Sequence, residues 1–286
     1  MDVSIIIVNY NTKELLKNCL FSIIEQTKDI DYEIIVSDNA SSDGSVEIIK
    51  KEFPQVLLIE NKENLGFGKA NNKGLEIAKG KYIFYLNSDT ILLNNAVKIF
   101  FDYWENSLFT HEIGALGTNL IGKDRSVVIS SANFPSVNNE YKYLIHCLLS
   151  SLYLKKIYYF LFKKNSNYKK IIGEVDFIIG ADLFLRNDKS AKFDERYFMY
   201  YEESDLQLQL ANKGLKRILI DGPQIIHLEG GSTKENRQMY DFKKKSSQFY
   251  WTSSILYLEK NLSNDQKGIK KLKRLLRFIY SLPMNK

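Results

Sequence analysis

Four short apolar runs recur through the first third of the chain, Val3 to Val8, Tyr32 to Val36, Val56 to Ile59 and Tyr82 to Leu86. They are β-branched and too short for helices, which predicts buried strands. The stretches between them carry apolar residues at helical spacing. Leu15, Leu16, Cys19, Leu20 and Ile23 share one face of a helix predicted over Lys13 to Gln26, and further helices are predicted over Gly44 to Phe53 and Lys69 to Lys79. Strand and helix in alternation make βαβ units, so the fold class is α/β with a mostly parallel sheet and flanking helices. Beyond about residue 112 the alternation loosens. Ile113 to Thr118, Ser126 to Ser131, Val175 to Ile179, Lys216 to Ile220 and Gln224 to His227 still read as strands, and Glu203 to Lys213 as a helix ended by Gly214. Residues 238–262 and 268–282 read as helices, a helical C-terminal tail.

Charge changes this picture at one place. The net +6 of the 286 residues comes from the tail, where Lys267, Lys270, Lys271, Lys273, Arg274, Arg277 and Lys286 stand without an acid. The rest is close to neutral, which argues against nucleic acid as a partner. In the tail Ile269, Leu272, Leu275, Leu276 and Ile279 fall on one helical face, a pattern suited to an anionic membrane surface; the bland alternative is a packed terminal helix with a solvated basic face. Residues 141–164 are apolar and aromatic, but the uncharged run Tyr143 to Leu154 is too short to cross a hydrocarbon layer of roughly 30 Å. Cys19 and Cys147 form neither a disulfide framework nor a zinc cluster, and the N-terminus shows no secretory leader. The expected location is cytoplasmic.

Candidate chemistry gathers where the predicted strands end. Open α/β sheets hold ligands outside the carboxyl ends of their strands. The first strand ends in Val8-Asn9-Tyr10-Asn11 and the second in Ser37-Asp38-Asn39-Ala40-Ser41, both also readable as turns and caps. The third is followed by Asn64-Leu65-Gly66-Phe67-Gly68-Lys69-Ala70-Asn71-Asn72, which is not a dinucleotide fingerprint. Asn87-Ser88-Asp89-Thr90 places one carboxylate after the fourth strand, where it suits Mg²⁺ or Mn²⁺ bridging a diphosphate. Glu202, Glu203 and Asp205 crowd the start of a helix after an aromatic run, more acid than the helix dipole requires. His227 closes a strand-like run before Glu229-Gly230-Gly231-Ser232.

In this order these signatures resemble the inverting family 2 glycosyltransferases of the GT-A fold, especially the bacterial branch of rhamnosyltransferases of cell-surface polysaccharides. The resemblance spans roughly residues 3–232 and rests on IIIVNYN, DNASSDGS, NLGFGKANN, GKYIFYLNSDT, IIGADLFLR, FDERYFMYYEESDL and IIHLEGGS. It implies a nucleotide-binding sheet in which Asp38 reads the base while Asn9, Asn11, Asn39, Gly66, Asn71 and Asn87 line the nucleotide-sugar site. It also implies that Asp89 and His227 hold the metal, that Glu203 is the general base with Asp205 beside it, and that Asp182 lies on the acceptor side. The family's Glu-Asp-x-Asp is Glu202-Glu203-Ser204-Asp205 here, so the base is one methylene longer.

The expected domains are a GT-A domain over 1–232 and a membrane-associating helical region over 233–286. The first divides into a nucleotide half at 1–112 and an acceptor half at 113–232 with an insertion at 133–172. The expected reaction moves a sugar, first dTDP-L-rhamnose and otherwise a UDP-hexose or UDP-N-acetylhexosamine, with inversion to a saccharide, in particular a polyprenyl-linked one. The expected site of action is the inner face of the cell membrane, reached through residues 267–286. Two rivals stand beside it. A nucleotidyltransferase usually carries a glycine-rich N-terminal phosphate loop, which residues 8–14 lack. A non-catalytic nucleotide-sugar binder at the membrane has no need of both Asp89 and Glu203.

Overall fold

The computed structural model describes residues 1–151, 168–188, 191–228, 242 and 244–281. In chain order the elements are β1 Val3–Asn9, α1 Lys13–Gln26, β2 Tyr32–Asp38, α2 Ser45–Glu52, β3 Leu57–Glu60, α3 Phe67–Ile77 and β4 Tyr82–Leu86. Next come β5 Thr90–Leu92, α4 Ala96–Asn106, β6 Ile113–Thr118, β7 Ser131–Ala132, α5 Val137–Ser151, β8 Gly173–Val175, β9 Phe177–Ile178 and β10 Asp182–Arg186. Then follow α6 Glu202–Asn212, β11 Lys216–Ile220, β12 Ile225–His227, α7 Lys245–Asn261 and α8 Gln266–Ser281. Residues 1–134, 168–198 and 202–234 make one compact unit; 135–167, 199–201 and 235–286 make another.

The first unit is built on an eight-stranded sheet of order β3-β2-β1-β4-β10-β6-β11-β8. β3, β2, β1 and β4 run parallel, so Asn9 and Asp38 pair at the carboxyl ends of β1 and β2. After β1 the chain builds outward through β2 and β3, then returns to place β4 on the other side of β1, which makes a topological switch point there. Helices cover both faces, which is why β1 is apolar throughout rather than alternating. Ile5 and Ile7 face one core with Leu16, Cys19, Leu20 and Phe100; Ile6 faces the other with Tyr85, Leu183, Phe193 and Leu206. Each such isoleucine contributes about 1.5–3 kcal/mol by leaving water.

β10 lies antiparallel between β4 and β6, although nothing in the sequence reading marked Asp182–Arg186 as a strand. Its three consecutive apolar residues, between Asp182 and Arg186, are too short a run to stand out. Ser126 to Ser131 is mostly loop, because Gly122 N donates to Ser126 O at 2.8 Å and turns the chain back; Val127 makes an isolated bridge with Ile121, and Ser131 and Ala132 pair with β9. Val175 to Ile179 is split at Asp176, whose carboxylate accepts from Phe134 N at 3.1 Å. The helix expected from residue 238 begins at Lys245; residues 238–241 and 243, like Glu229 to Ser232, lie outside the described residues.

The second unit joins α5, α7 and α8, so a segment of the expected insertion and the tail pack together. Tyr141 Oη donates to Gly268 O at 3.2 Å, and Phe242 stacks on Trp251 at 6.4 Å. The tail's apolar stripe is not turned to a bilayer: Ile269, Leu272, Leu276 and Ile279 are buried and Leu275 is half-buried. Lys267, Lys270, Lys271, Arg274 and Arg277 remain exposed, beside Phe278 at 60%. No described helix is long and apolar enough to cross a membrane. Met199–Tyr201 belong to this unit, and Tyr200 and Tyr201 both hold φ of 70°. For L residues outside Gly, Asn and Asp that conformation costs of order 1–3 kcal/mol each.

Candidate active site

Three strand ends are tied into one polar floor. Asn9 Nδ2 donates to Asp38 Oδ1 at 2.6 Å and to Ser41 Oγ at 3.0 Å, while Asn9 Oδ1 accepts from Thr12 Oγ1 at 2.6 Å. Thr12 Oγ1 lies 3.0 Å from Ser88 Oγ, which carries the chain of bonds from β2 across β1 to the loop after β4. Thr12 occupies the cap position of α1 yet makes no side-chain cap bond; its hydroxyl is used here instead. Thr12 and Ser88 escaped the sequence reading because a hydroxyl two or three residues past a strand end looks like a cap or turn residue. The signal was its recurrence at Thr12, Ser41 and Ser88.

Asp38 is 1% exposed, and its other oxygen accepts from Ser41 N at 2.9 Å, leaving one further lone pair on each oxygen. Ala40, just beyond it, holds φ of 61°, and Asn11 holds 54°. Asn11 is exposed, and its Oδ1 accepts from Ser42 N at 2.8 Å, which fastens the first loop to the second. Asn39, expected to face the ligand, is instead a buried tie: its amide donates to Asn64 Oδ1 and Gly66 O and accepts from Asn61 Nδ2 and Leu65 N. Asn71 is also buried, with Nδ2 donating to Phe67 O at 3.1 Å along α3.

Gly66 is required by a close approach within the protein. With φ of 82° it lies so near the carbonyl of Phe198 that a Cβ would stand 2.1 Å from that oxygen, and Phe67 N donates to the same oxygen at 2.9 Å. Gly66→Ala is expected to lower stability by about 2–4 kcal/mol, read as a lower urea midpoint. Gly214→Ala, at φ of 76° with nothing within 4 Å, should lose only about 1–2 kcal/mol.

Asp89 is 3% exposed and immediately precedes β5, which pairs antiparallel with β12 so that His227 stands opposite Thr90. His227 Nε2 stands 3.4 Å from Asp89 Oδ1, and His227 Nδ1 is buried without a hydrogen-bond partner among the described residues. Two donors each about 2.1 Å from one octahedral ion and at right angles lie about 3 Å apart, so the spacing fits Mg²⁺ or Mn²⁺. Among the described residues no three His, Cys, Asp or Glu side chains converge, so such an ion would draw its remaining ligands from phosphate and water. Asn87 is half-buried beside this pair, and its N–H donates to Ala181 O at 3.1 Å.

The segment before β10 connects that loop to the acid cluster. Ala181 receives Asn87, and the neighbouring Gly180 packs on Glu203, where a Cβ would meet Glu203 Cβ at 3.4 Å. Glu203 is half-buried, its Oε2 is buried without a hydrogen-bond partner among the described residues, and burial raises its pKa against the pull of helix N–H groups. Asp205 is 2% exposed and accepts from Tyr197 Oη at 3.3 Å; Glu202 is 4% exposed. Asp182 does not line an acceptor surface. It is fully buried in the sheet, Oδ2 accepts from Thr118 N at 2.7 Å, and burial pushes its pKa well up.

Comparison with known proteins adds a family to this geometry. Residues 4–131 match the family described as Glycosyl transferase family 2. The chain is 35% identical over 133 residues to a poly(ribitol-phosphate) beta-glucosyltransferase of Bacillus spizizenii, covering 44% of this chain and 21% of that protein. It is 34% identical over 129 residues to the poly(ribitol-phosphate) beta-N-acetylglucosaminyltransferase TarP of Staphylococcus aureus, covering 44% and 39%. It is also 35% identical over 121 residues to the Escherichia coli UDP-Glc:alpha-D-GlcNAc-diphosphoundecaprenol beta-1,3-glucosyltransferase WfaP, covering 42% and 43%. The matches thus span between a fifth and less than half of these relatives' own lengths. Among solved structures, the mannosyltransferase PcManGT of Pyrobaculum calidifontis with GDP-Man and Mn²⁺ superposes at a TM-score of 0.55 and 16% identity, covering 99% of this chain and 76% of that one. S. aureus TarS 1–349 with UDP-GlcNAc gives 0.52 and 16%, covering 80% and 59%.

Proposed function

We propose that this chain, whose residues 4–131 match glycosyl transferase family 2 and whose fold is of the GT-A type, transfers a sugar from a nucleoside-diphosphate donor to a saccharide acceptor. The observation that carries this reading is the pairing of Asp89 with His227 at the carboxyl end of β4, joined through Gly180 and Ala181 to the half-buried acid Glu203. The polar floor of Asn9, Asp38 and Ser41 faces the nucleoside. Asp89 and His227 would hold Mg²⁺ or Mn²⁺, which supplies positive charge to the leaving diphosphate. Glu203 takes the proton of the acceptor hydroxyl as that oxygen attacks the anomeric carbon and the bond to the diphosphate breaks on the opposite side. The result is inversion. The β-linked products named for three relatives are what an inverting transfer makes from an α-linked donor.

The names of those relatives favour a UDP-hexose or UDP-N-acetylhexosamine over dTDP-L-rhamnose, so all three belong in the first test. Incubating the protein with a panel of sugar nucleotides and measuring released nucleoside diphosphate should single out one donor. No release from any of them, with acceptor saccharides present, sinks the reading.

A polyprenyl-linked acceptor would place the reaction at the inner face of the membrane, and the diphosphoundecaprenol in one relative's name favours it. The exposed cations of α8 with Phe278 are the contact we propose there, electrostatic rather than inserted, since the apolar stripe is already buried. Reversing Lys270, Lys271 and Arg274 to Glu should weaken binding to anionic vesicles by about 10²-fold or more, at about 1 kcal/mol per charge. Turnover with a soluble acceptor should stay within twofold. Equal vesicle binding by the variant and the native chain removes the membrane role.

A further inference from the structure

A second cavity in the sheet unit is lined by none of the residues assigned above to donor, metal or base. It measures about 540 Å³, and its lining includes Ser131, Asn133, Ile171, Glu174, Asp176 and Arg217, all within the first unit. That volume is ordinary for a small-molecule site. The walls are held by the protein's own bonds. Ser131 and Ala132 pair with Ile178 and Phe177, and the side chain of Asn119, just past β6, donates to Ile171 O at 2.7 Å and accepts from Ile171 N at 2.8 Å.

Arg217 is 6% exposed, yet among the described residues its partners are backbone carbonyls rather than carboxylates: Asp176 O at 2.8 Å, Leu215 O at 2.6 Å and Val175 O at 3.1 Å. A guanidinium has five N–H groups, so two are left for something else. The Phe134 ring covers it at 5.5 Å and stacks in turn on Phe177. Asp176 uses one oxygen on Phe134 N and keeps the other. Glu174 and Asn133 are exposed and make no side-chain hydrogen bond among the described residues.

An anion in this cavity would meet Glu174 and Asp176, and a cation would meet Arg217. Neutral hydroxyls suit both signs, because each donates to a carboxylate and accepts from a guanidinium or amide. Ile171, at 46% exposed, offers an apolar surface to the C–H face of a sugar ring. We infer that this cavity is a subsite for a neutral saccharide unit of the acceptor, some way along the acceptor from the hydroxyl that attacks. The inference rests on the transfer reaction proposed above. From the cavity the chain runs through β9 to Gly180, which packs on Glu203, and the four residues from Asp176 to Gly180 span at most about 14 Å. A single sugar ring does not bridge such a distance, whereas a short oligosaccharide does. Holding the far end of the acceptor lowers the entropic cost of presenting its hydroxyl to the base.

The test uses the full chain and neutral tetrasaccharides built of glucose, galactose, N-acetylglucosamine or rhamnose, each titrated calorimetrically beside its own monosaccharide without donor. At least one tetrasaccharide should bind tenfold or more tightly than its monosaccharide, and inorganic phosphate should not displace it. Glu174→Ala combined with Asn133→Ala should abolish that advantage and raise the KM of the same tetrasaccharide as acceptor tenfold or more, with the loss in KM rather than kcat. Both side chains are exposed, so the double variant should keep its cooperative melt. No advantage for any tetrasaccharide, displacement by phosphate, undiminished binding by the double variant, or loss of its melt overturns the subsite. The two readings fail separately. Nucleoside diphosphate release by a native chain whose tetrasaccharide binding the double variant retains removes the subsite alone. Tetrasaccharide binding that the double variant loses, with no release from any donor, removes the transfer reading and the acceptor role with it.

Discussion

Asp89→Asn is expected to lower kcat/KM by about 10³-fold, roughly 4 kcal/mol, the order of charge stabilisation that a divalent cation supplies to a leaving group. Asparagine preserves the size of the side chain and leaves untouched the backbone bond in which Asp89 O accepts from Leu228 N at 2.9 Å, so the pairing of β5 with β12 should survive. What is lost is the negative charge facing His227 at 3.4 Å. Binding of Mn²⁺ in the presence of UDP, followed by electron paramagnetic resonance, should weaken in the same variant, which separates a metal role from a general loss of activity. Stripping the native protein with EDTA should mimic the variant, and added Mn²⁺ should restore the native chain but not Asp89→Asn. Full turnover in EDTA would falsify the metal role.

Glu203→Gln comes second in size, with kcat expected to fall by about 10²–10⁴-fold at nearly unchanged donor affinity, the usual range for removing a general base. Its pH dependence carries a further sign. Burial raises the Glu203 pKa, so the native enzyme should lose activity on acidification at a higher pH than an ordinary carboxylate, as the base becomes protonated before it can accept the acceptor's proton. The variant should lose that acidic limb. Raising the pKa also makes the carboxylate a better proton acceptor near neutrality, so its burial serves the chemistry. If Asp205→Asn reproduces the rate loss and the altered pH profile while Glu203→Gln does not, the base lies with Asp205 and its Tyr197 contact instead.

Several elements were legible before any coordinates because their signals are local. Lys13 to Gln26 and Tyr82 to Leu86 match residue for residue, since an uninterrupted face at helical spacing or a continuous apolar run depends only on near neighbours. Asp38 and Asp89 also announced themselves, as carboxylates following apolar strands. Asn39 and Gly66 did not reveal their use. An amide and a glycine beside a strand end look the same whether they meet a ligand or the protein's own backbone, and here Asn39 ties the loop while Gly66 makes room for the Phe198 carbonyl. The tail shows the same limit. Its stripe of Ile269, Leu272, Leu276 and Ile279 was plain in the sequence, but an apolar face records only that it leaves water.

The sequence by itself determined, to within two residues, four strands and three helices of the first third, though not the short β5, and where the carboxylates fall relative to strand ends. The tertiary structure alone decided what each of those surfaces meets. It set β10 antiparallel between β4 and β6, paired β5 with β12 so that His227 faces Asp89, and brought Gly180 against Glu203. It also laid Glu140 against Ser254, more than a hundred positions away in the chain. Periodicity encodes burial because water is the same everywhere along the chain. Partners depend instead on which faces of distant segments fit each other in shape, charge and hydrogen-bonding groups, and that is settled only when the chain has folded.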